Sequence, residues 1–180
     1  FADYVDVLRK DADERLRAVT MLTTNHTMFM RELHHFEHFT DHVRPQLMRR
    51  LRDGDRVRIW SAGSSSGEEV YSLAMTLLGE NRGEAKRILE GNIAILASDL
   101  SDAVIAIGAA GRYPKESVDA VPEKLRATWL RDQGSQVEVI EQVRKLVRFR
   151  RLNLLRPWPM SGLFDVIFCR NVMIYFDEPT

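Results

Sequence analysis

The chain has 180 residues, 44% of them hydrophobic and 29% charged, with 26 Lys+Arg against 26 Asp+Glu. That length holds one domain with a sizeable core, or a domain plus a small appendage, and zero net charge excludes a nucleic-acid binder working through bulk positive charge. The single cysteine, Cys169, excludes an internal disulfide framework and a cysteine-rich zinc site and fits a reducing compartment; neither a membrane span nor a secretory leader is expected.

In chain order, Phe1 to Val19 places apolar residues between charges at roughly helical spacing and predicts an amphipathic helix. The polar stretch TMLTTNHT predicts a turn or loop. Met28 to Leu51 reads as helix with a break near Pro45, and Arg52 to Asp55, RDGD, as a turn. An alternating pattern follows. Val57 to Trp60 is a buried-type strand, Glu68 to Leu78 a helix, and Ile93 to Ala97 a second buried strand ending in Asp99. Ser101 is placed to cap a helix reaching about Ala110, which GRYP ends. Glu116 to Leu130 reads as helix. Val137 to Ile140 and Lys145 to Leu152 alternate apolar and polar residues and predict a small antiparallel ribbon. Asp165 to Cys169 is a third buried strand.

Strands of this kind separated by helices predict an α/β fold with a doubly wound, mostly parallel sheet. Ligands in such folds lie beyond the carboxyl ends of the strands. Here those ends are Ser61-Ala62-Gly63, Ser98-Asp99 and Arg170-Asn171, all polar or small.

The first of these turns, GSSSGEE, is informative. A dinucleotide fingerprint needs G-x-G-x-x-G, and a phosphate loop needs Lys after its last glycine. This chain has Gly63 and Gly67 followed at once by Glu68 and Glu69. Two carboxylates repel a pyrophosphate and attract an ammonium or another cation. A ligand with positive charge, a ribose and no phosphate fits, and S-adenosylmethionine has all three properties. Asp99, ending the second strand, sits where an acid accepts hydrogen bonds from ribose hydroxyls. Plainer roles stand beside these: helix-dipole placement for the glutamates and a capping role for Asp99. His34, His38 and His42 share one helical face, but no fourth ligand accompanies them and no metal is expected.

The segments TTNHTMFMRELHHF, RIWSAGSSSGEEVYSLAMTL, ILASDL, RLNLL and FDVIFCRNVMIYF, in this order, resemble the chemotaxis receptor methyltransferases of the CheR type across nearly all of Met21 to Phe176. The resemblance implies an N-terminal helical region over 1–52. It implies an S-adenosylmethionine-dependent, Rossmann-like methyltransferase domain over 53–180, with a β insert at about 135–152. It further implies a cytoplasmic protein-glutamate O-methyltransferase in chemotaxis signal transduction, acting on the cytoplasmic domain of methyl-accepting chemoreceptors and yielding S-adenosylhomocysteine. Carried onto this chain, the family's roles give Asn25, Thr27 and Arg31 to the cofactor from the helical side and Ala62 to the first turn. Glu68 or Glu69 serves the methionine ammonium, and Asp99 the ribose. Asn153, Leu154, Asn171 and Val172 line the adenine and the rest of the cleft. Tyr175 stands near the transferred methyl. By its own chemistry Arg31 can hold a carboxylate in a bidentate fork, either the cofactor's or the substrate's. The β insert resembles one that grips a receptor-tail peptide. Val70 stands where the family commonly has proline. The chain starts at Phe1 and stops at FDEPT, and so reads as a piece of a longer protein whose final strands lie beyond it. The alternative class is a non-catalytic S-adenosylmethionine-binding signalling module.

Overall fold

A computed structural model describes residues 2–22 and 25–177. Two short helices open the chain, α1 (Ala2–Lys10) and α2 (Ala12–Leu22), in place of the single helix expected. Asp11 causes the division. Its carboxylate accepts hydrogen bonds from the backbone N–H groups of Asp13 and Glu14 at 2.9 and 3.1 Å, an N-cap that starts the second helix afresh.

The next helix begins at His34, six residues later than Met28. It runs as α3 (His34–His38), a π-helical turn (Phe39–Val43) and α4 (Arg44–Arg52). Pro45 supplies no N–H and its ring crowds the carbonyl one turn back. The helix therefore widens ahead of the proline rather than breaking. Phe36, Phe39 and Leu47 from this stretch are buried in the same core as the sheet.

That sheet has four parallel strands: β1 (Val57–Ala62), β2 (Ile93–Asp99), β6 (Val147–Arg151) and β7 (Val166–Phe168), in the order β6-β2-β1-β7. The register sets Ile59 beside Ile95 and Val166, and Ile95 beside Val147. One face packs on α5 (Glu68–Leu78), whose Val70, Leu73, Ala74 and Leu77 are fully buried, as the apolar spacing predicts. The other face carries Trp60, covered by the loop rings of Trp158 and Phe164 at 4.9 and 5.3 Å. The amphipathic α6 (Arg82–Leu89), not anticipated, buries Ala85 and Ile88 and is capped by the Asn81 side chain. Helix α7 (Asp102–Ala110) has Ser101 as its N-cap, as expected.

The small antiparallel sheet exists, but its composition corrects the expectation. It joins β3 (Arg112–Pro114), β5 (Gln136–Val139) and β4 (Leu130–Gln133) in the order β3-β5-β4. Lys145 to Leu152 is not its second strand. Glu141–Leu146 is helix α9, and the residues after it form β6, parallel to β2. The alternation that mimicked a ribbon comes from an edge strand, where Val147 and Phe149 are buried and Arg148 and Arg150 are exposed. Likewise Glu116 to Leu130 is not one helix: a 3-10 turn (Lys115–Val118) precedes α8 (Glu123–Trp129), and Leu130 already belongs to β4. No helix among the described residues is long and apolar enough to cross a membrane.

Candidate functional site

A cavity of ≈ 380 Å³ opens at the carboxyl ends of β1, β2 and β7. Nine residues singled out from the sequence line it together: Asn25, Thr27, Arg31, Glu69, Asp99, Asn153, Leu154, Asn171 and Val172. Three do not. Ala62 is buried in β1 behind the lining. Glu68 turns away and accepts a hydrogen bond from Ser66 Oγ at 2.7 Å. The side chain of Tyr175 lies outside the described residues, as do Thr23 and Thr24 of the TTNHT segment; the Tyr175 backbone ends a 3-10 turn, Met173–Tyr175. Of the other lining residues, the sequence places Gly63 and Arg170 at strand ends without a role and assigns nothing to His26, Ser65, Leu100, Leu152, Leu155 or Phe176.

Local backbone explains how this turn works. Gly63 has φ +72°, and a Cβ there would fall 2.3 Å from Val172 Cγ2, so only glycine lets β7's exit loop close over the turn. The Gly63 and Ser64 N–H groups both donate to the Ser98 carbonyl, at 2.8 and 2.9 Å, which ties the end of β1 to that of β2. Among the described residues four non-glycines have positive φ: Met30, Glu32, Ser65 and Asn171. Met30 and Glu32 flank Arg31, and the other two line the cavity. Such conformations persist where surrounding contacts hold them, and they gather at sites that need a fixed shape.

Those contacts are explicit. Ser65 Oγ donates to the Asn25 carbonyl at 2.8 Å, and the Met30 N–H donates to Ser72 Oγ at 2.9 Å. The segment carrying Asn25, Thr27 and Arg31 is thereby stitched across the start of α5. Asp99 fastens the other wall. One carboxylate oxygen accepts from the Ser65 N–H at 2.9 Å and the other from the Ser101 N–H at 3.1 Å. A carboxylate has about four lone-pair positions, so two of them stay open to a ligand.

Glu69 sits at the floor. Its Oε1 accepts from Ser61 Oγ at 2.9 Å, and its Oε2 pairs with Arg170 Nη1 at 3.2 Å. The two side chains are 11% (Arg170) and 13% (Glu69) exposed. Burial pushes the Glu69 carboxyl above the usual range, while Ser61, Arg170 and Arg31 pull it back. Burial also raises Glu68, with Ser66 opposing. Cys169 is raised by burial and then by the nearby Glu69 charge. Arg31 gives one N–H to the His26 carbonyl at 3.0 Å and lines the cavity with the rest of its fork.

The donor set fits a zwitterionic nucleoside. The carboxylates of Glu69 and Asp99 and the guanidiniums of Arg31 and Arg170 are spaced around walls of Leu100, Leu152, Leu154, Val172 and Phe176, an arrangement of few polar groups on apolar walls typical of small-molecule sites. Glu32, His34 and His35 bring ligand-type atoms within 4.8 Å of one another. That cluster is largely exposed, and Arg170 pairs with Glu32 at 3.2 Å, which opposes a cation there.

Comparison with known proteins agrees with this chemistry. The family described as CheR methyltransferase, SAM binding domain, matches residues 25–180. A probable chemotaxis protein methyltransferase of Rhizobium etli is 43% identical over the whole chain, which covers 68% of that relative. Chemotaxis protein methyltransferase 2 of Pseudomonas aeruginosa is 42% identical, with 100% of this chain and 63% of the relative covered. The chemotaxis protein methyltransferase of Escherichia coli is 37% identical, with 100% and 61% covered. The chain thus spans about two thirds of the length of these relatives. With the family match covering the cavity and the sheet that bears it, the chain belongs to the CheR methyltransferase family, through its SAM-binding domain.

Proposed function

We propose that this chain catalyses transfer of a methyl group from S-adenosylmethionine to glutamate side-chain carboxylates of chemoreceptors, in the cytoplasm, leaving glutamate methyl esters. The observation that carries the reading is the gathering of Asp99, Glu69 and Arg31 around one apolar-walled cavity at the strand ends, in a chain of this family. When bound, S-adenosylmethionine supplies a methyl on a sulfonium whose departure leaves a neutral thioether. The acceptor carboxylate is ionised at neutral pH, so the site needs neither a general base nor a general acid. Its task is alignment and exclusion of water, and well-oriented reactants recover about 7–11 kcal/mol of barrier. Asp99 accepts from the ribose hydroxyls with its open lone pairs. Glu69 accepts from the α-ammonium, and Arg31 holds the cofactor's carboxylate at the other end of its amino-acid group. Asn25 and Thr27 close the cavity from the helical side. Asn153, Leu154, Asn171 and Val172 enclose the base, and Tyr175 orients the acceptor. The small sheet β3-β5-β4 is the proposed seat of a receptor-tail peptide.

Incubation with methyl-labelled S-adenosylmethionine and a receptor cytoplasmic fragment should place base-labile label on the fragment. Binding of S-adenosylhomocysteine without any transfer would replace this reading with a non-catalytic cofactor-binding module.

The two glutamates of the first turn separate under substitution. Glu69→Gln keeps the shape but removes the charge facing an ammonium, and should weaken S-adenosylhomocysteine binding by about tenfold, as for loss of a charge-assisted hydrogen bond. Glu68→Gln should leave the affinity within about twofold, since its carboxylate turns to Ser66. Titration calorimetry of the two variants checks both, and equal losses would remove the distinction.

A further inference from the structure

The cavity contains a cation that the proposed cofactor roles leave unused. Arg170 follows β7 and reaches back across the chain in three directions. Its Nη1 pairs with Glu69 Oε2 at 3.2 Å. Its Nη2 donates to the Arg31 carbonyl at 2.5 Å and pairs with Glu32 Oε2 at 3.2 Å. Its guanidinium lies 5.5 Å from the centre of the Phe36 ring. The partners belong to elements remote in sequence: Glu69 to the start of α5, and Arg31 and Glu32 to the positive-φ turn that opens the long helix.

We infer that Arg170 is a positioning residue: one guanidinium holds the acid that faces the cofactor's ammonium and the turn that presents Arg31 to its carboxylate, fixing the spacing of the two ends of the amino-acid grip. The inference rests on the cofactor orientation proposed above. Three physical points support it. First, Glu69 is buried with few compensating groups, Ser61 and Arg170 by direct contact and the Arg31 charge nearby, while the like charge of Glu32 opposes its ionisation and the Cys169 thiol lies close by. A buried carboxylate stripped of its cation costs several kcal/mol or takes up a proton, and a protonated Glu69 attracts an ammonium poorly. Second, Met30 and Glu32, with φ of 54° and 57°, do not hold that shape by propensity. The Arg170 bonds to the Arg31 carbonyl and the Glu32 carboxylate hold it from one side, and the Ser72 bond to Met30 from the other. Third, the geometry needs a fork. A lysine ammonium is a point charge on a flexible stem and cannot present the same planar pattern to three oxygens.

The test is calorimetric titration of S-adenosylhomocysteine into the wild type, Glu69→Gln, Arg170→Lys, Arg170→Met and the Arg170→Met/Glu69→Gln double variant, at about pH 8 and about pH 6, because loss of its cation moves a buried carboxyl further upward. The wild-type affinity should change by less than about threefold between the two conditions. Arg170→Met should lose roughly tenfold or more at the higher pH, on the order of a broken charge-assisted contact, and a further several-fold at the lower pH as Glu69 takes up its proton. Arg170→Lys should lose affinity while keeping a flat pH profile. In the double variant the pH dependence should vanish, because the titrating group is gone. A loss in Arg170→Met that is the same at both pH values, or no loss, overturns the inference, since a merely structural residue moves affinity without moving its pH profile. Arg170→Gln serves the same comparison where Arg170→Met does not fold. A wild type that ignores S-adenosylhomocysteine, or a Glu69→Gln variant that binds like wild type, instead sinks the cofactor orientation on which the inference stands.

Discussion

Asp99→Ala is expected to weaken S-adenosylhomocysteine binding by about 10- to 100-fold and to lower the midpoint of thermal unfolding by about 5–10 °C. The first effect follows from the ribose diol losing its carboxylate acceptor, a loss of about 1.5–3 kcal/mol in all. The second follows from a role that sequence alone obscured. Asp99 also satisfies the N–H groups of Ser65 and Ser101, both residues being buried. Truncation strands both donors, at a cost of about 1–3 kcal/mol each where water cannot reach them. The glycine-serine turn and the start of α7 then lose their common anchor. Asp99→Asn adds a control, because its NH2 must face one of the two N–H donors, so it should destabilise nearly as much without opening a cavity. Thermal unfolding with and without ligand, combined with calorimetry, measures both effects. An alanine variant that unfolds and binds like wild type would remove Asp99 from the site.

Gly67→Ala should cost about 2–4 kcal/mol of stability. The residue precedes α5 with φ +98°. A Cβ there would meet Tyr113 Oη at 2.9 Å, Phe149 Cζ at 3.0 Å and the Gly108 backbone at 3.1 Å. Two of these neighbours are ring atoms in a packed cluster and the third is main chain, so none yields cheaply. Helix α5 would have to tilt, carrying Glu69 out of line with Ser61 and Arg170. Both the unfolding midpoint and S-adenosylhomocysteine affinity should therefore fall. Gly54→Ala is the matched control. That glycine also has positive φ, +83°, but nothing lies within 4 Å of the new methyl, so only backbone strain of about 1 kcal/mol remains. Equal effects at the two positions would show that crowding is not the cause.

These residues also show where reading a sequence succeeds. The buried strands around Ile59 and Ile95 and the helix Glu68–Leu78 follow from apolar runs and spacing, because both faces of a central strand exclude water. Val166–Phe168, expected as a third buried strand, instead lies at the edge of the described sheet, with Ile167 54% exposed. The chemistry of the glycine turn and the second strand end singled out Glu69 and Asp99, which line one cavity. Edges were harder. Val147–Arg151 pairs on one side only and exposes its arginines, so its alternation is that of a surface ribbon whatever its partner's direction. Leu130–Gln133 is polar beyond its first residue and is a strand only because β5 lies beside it. Arg170 was placed at a strand end, but its partners were not legible. Glu69 and Arg31 lie 101 and 139 residues away, and no local pattern announces a contact of that range. Resemblance to a family supplied what spacing does not, the assignment of Asn25, Thr27 and Tyr175 to a common task.

The sheet order has a consequence for how the molecule is made. Strand β1 is central, yet its neighbour β7 comes more than a hundred residues later; the Asp165 carboxylate that receives the Arg58 N–H is separated from it by 107 positions. Translation adds about 5–20 residues per second, so β1 waits several seconds with one flank unpaired. Contacts of such long range form late and slowly. A nascent chain arrested before Val166 would have β1, β2 and β6 but no far wall to its cavity. Ligand capture during synthesis would then act as a readout of β7 pairing with β1, silent until that strand has threaded into place.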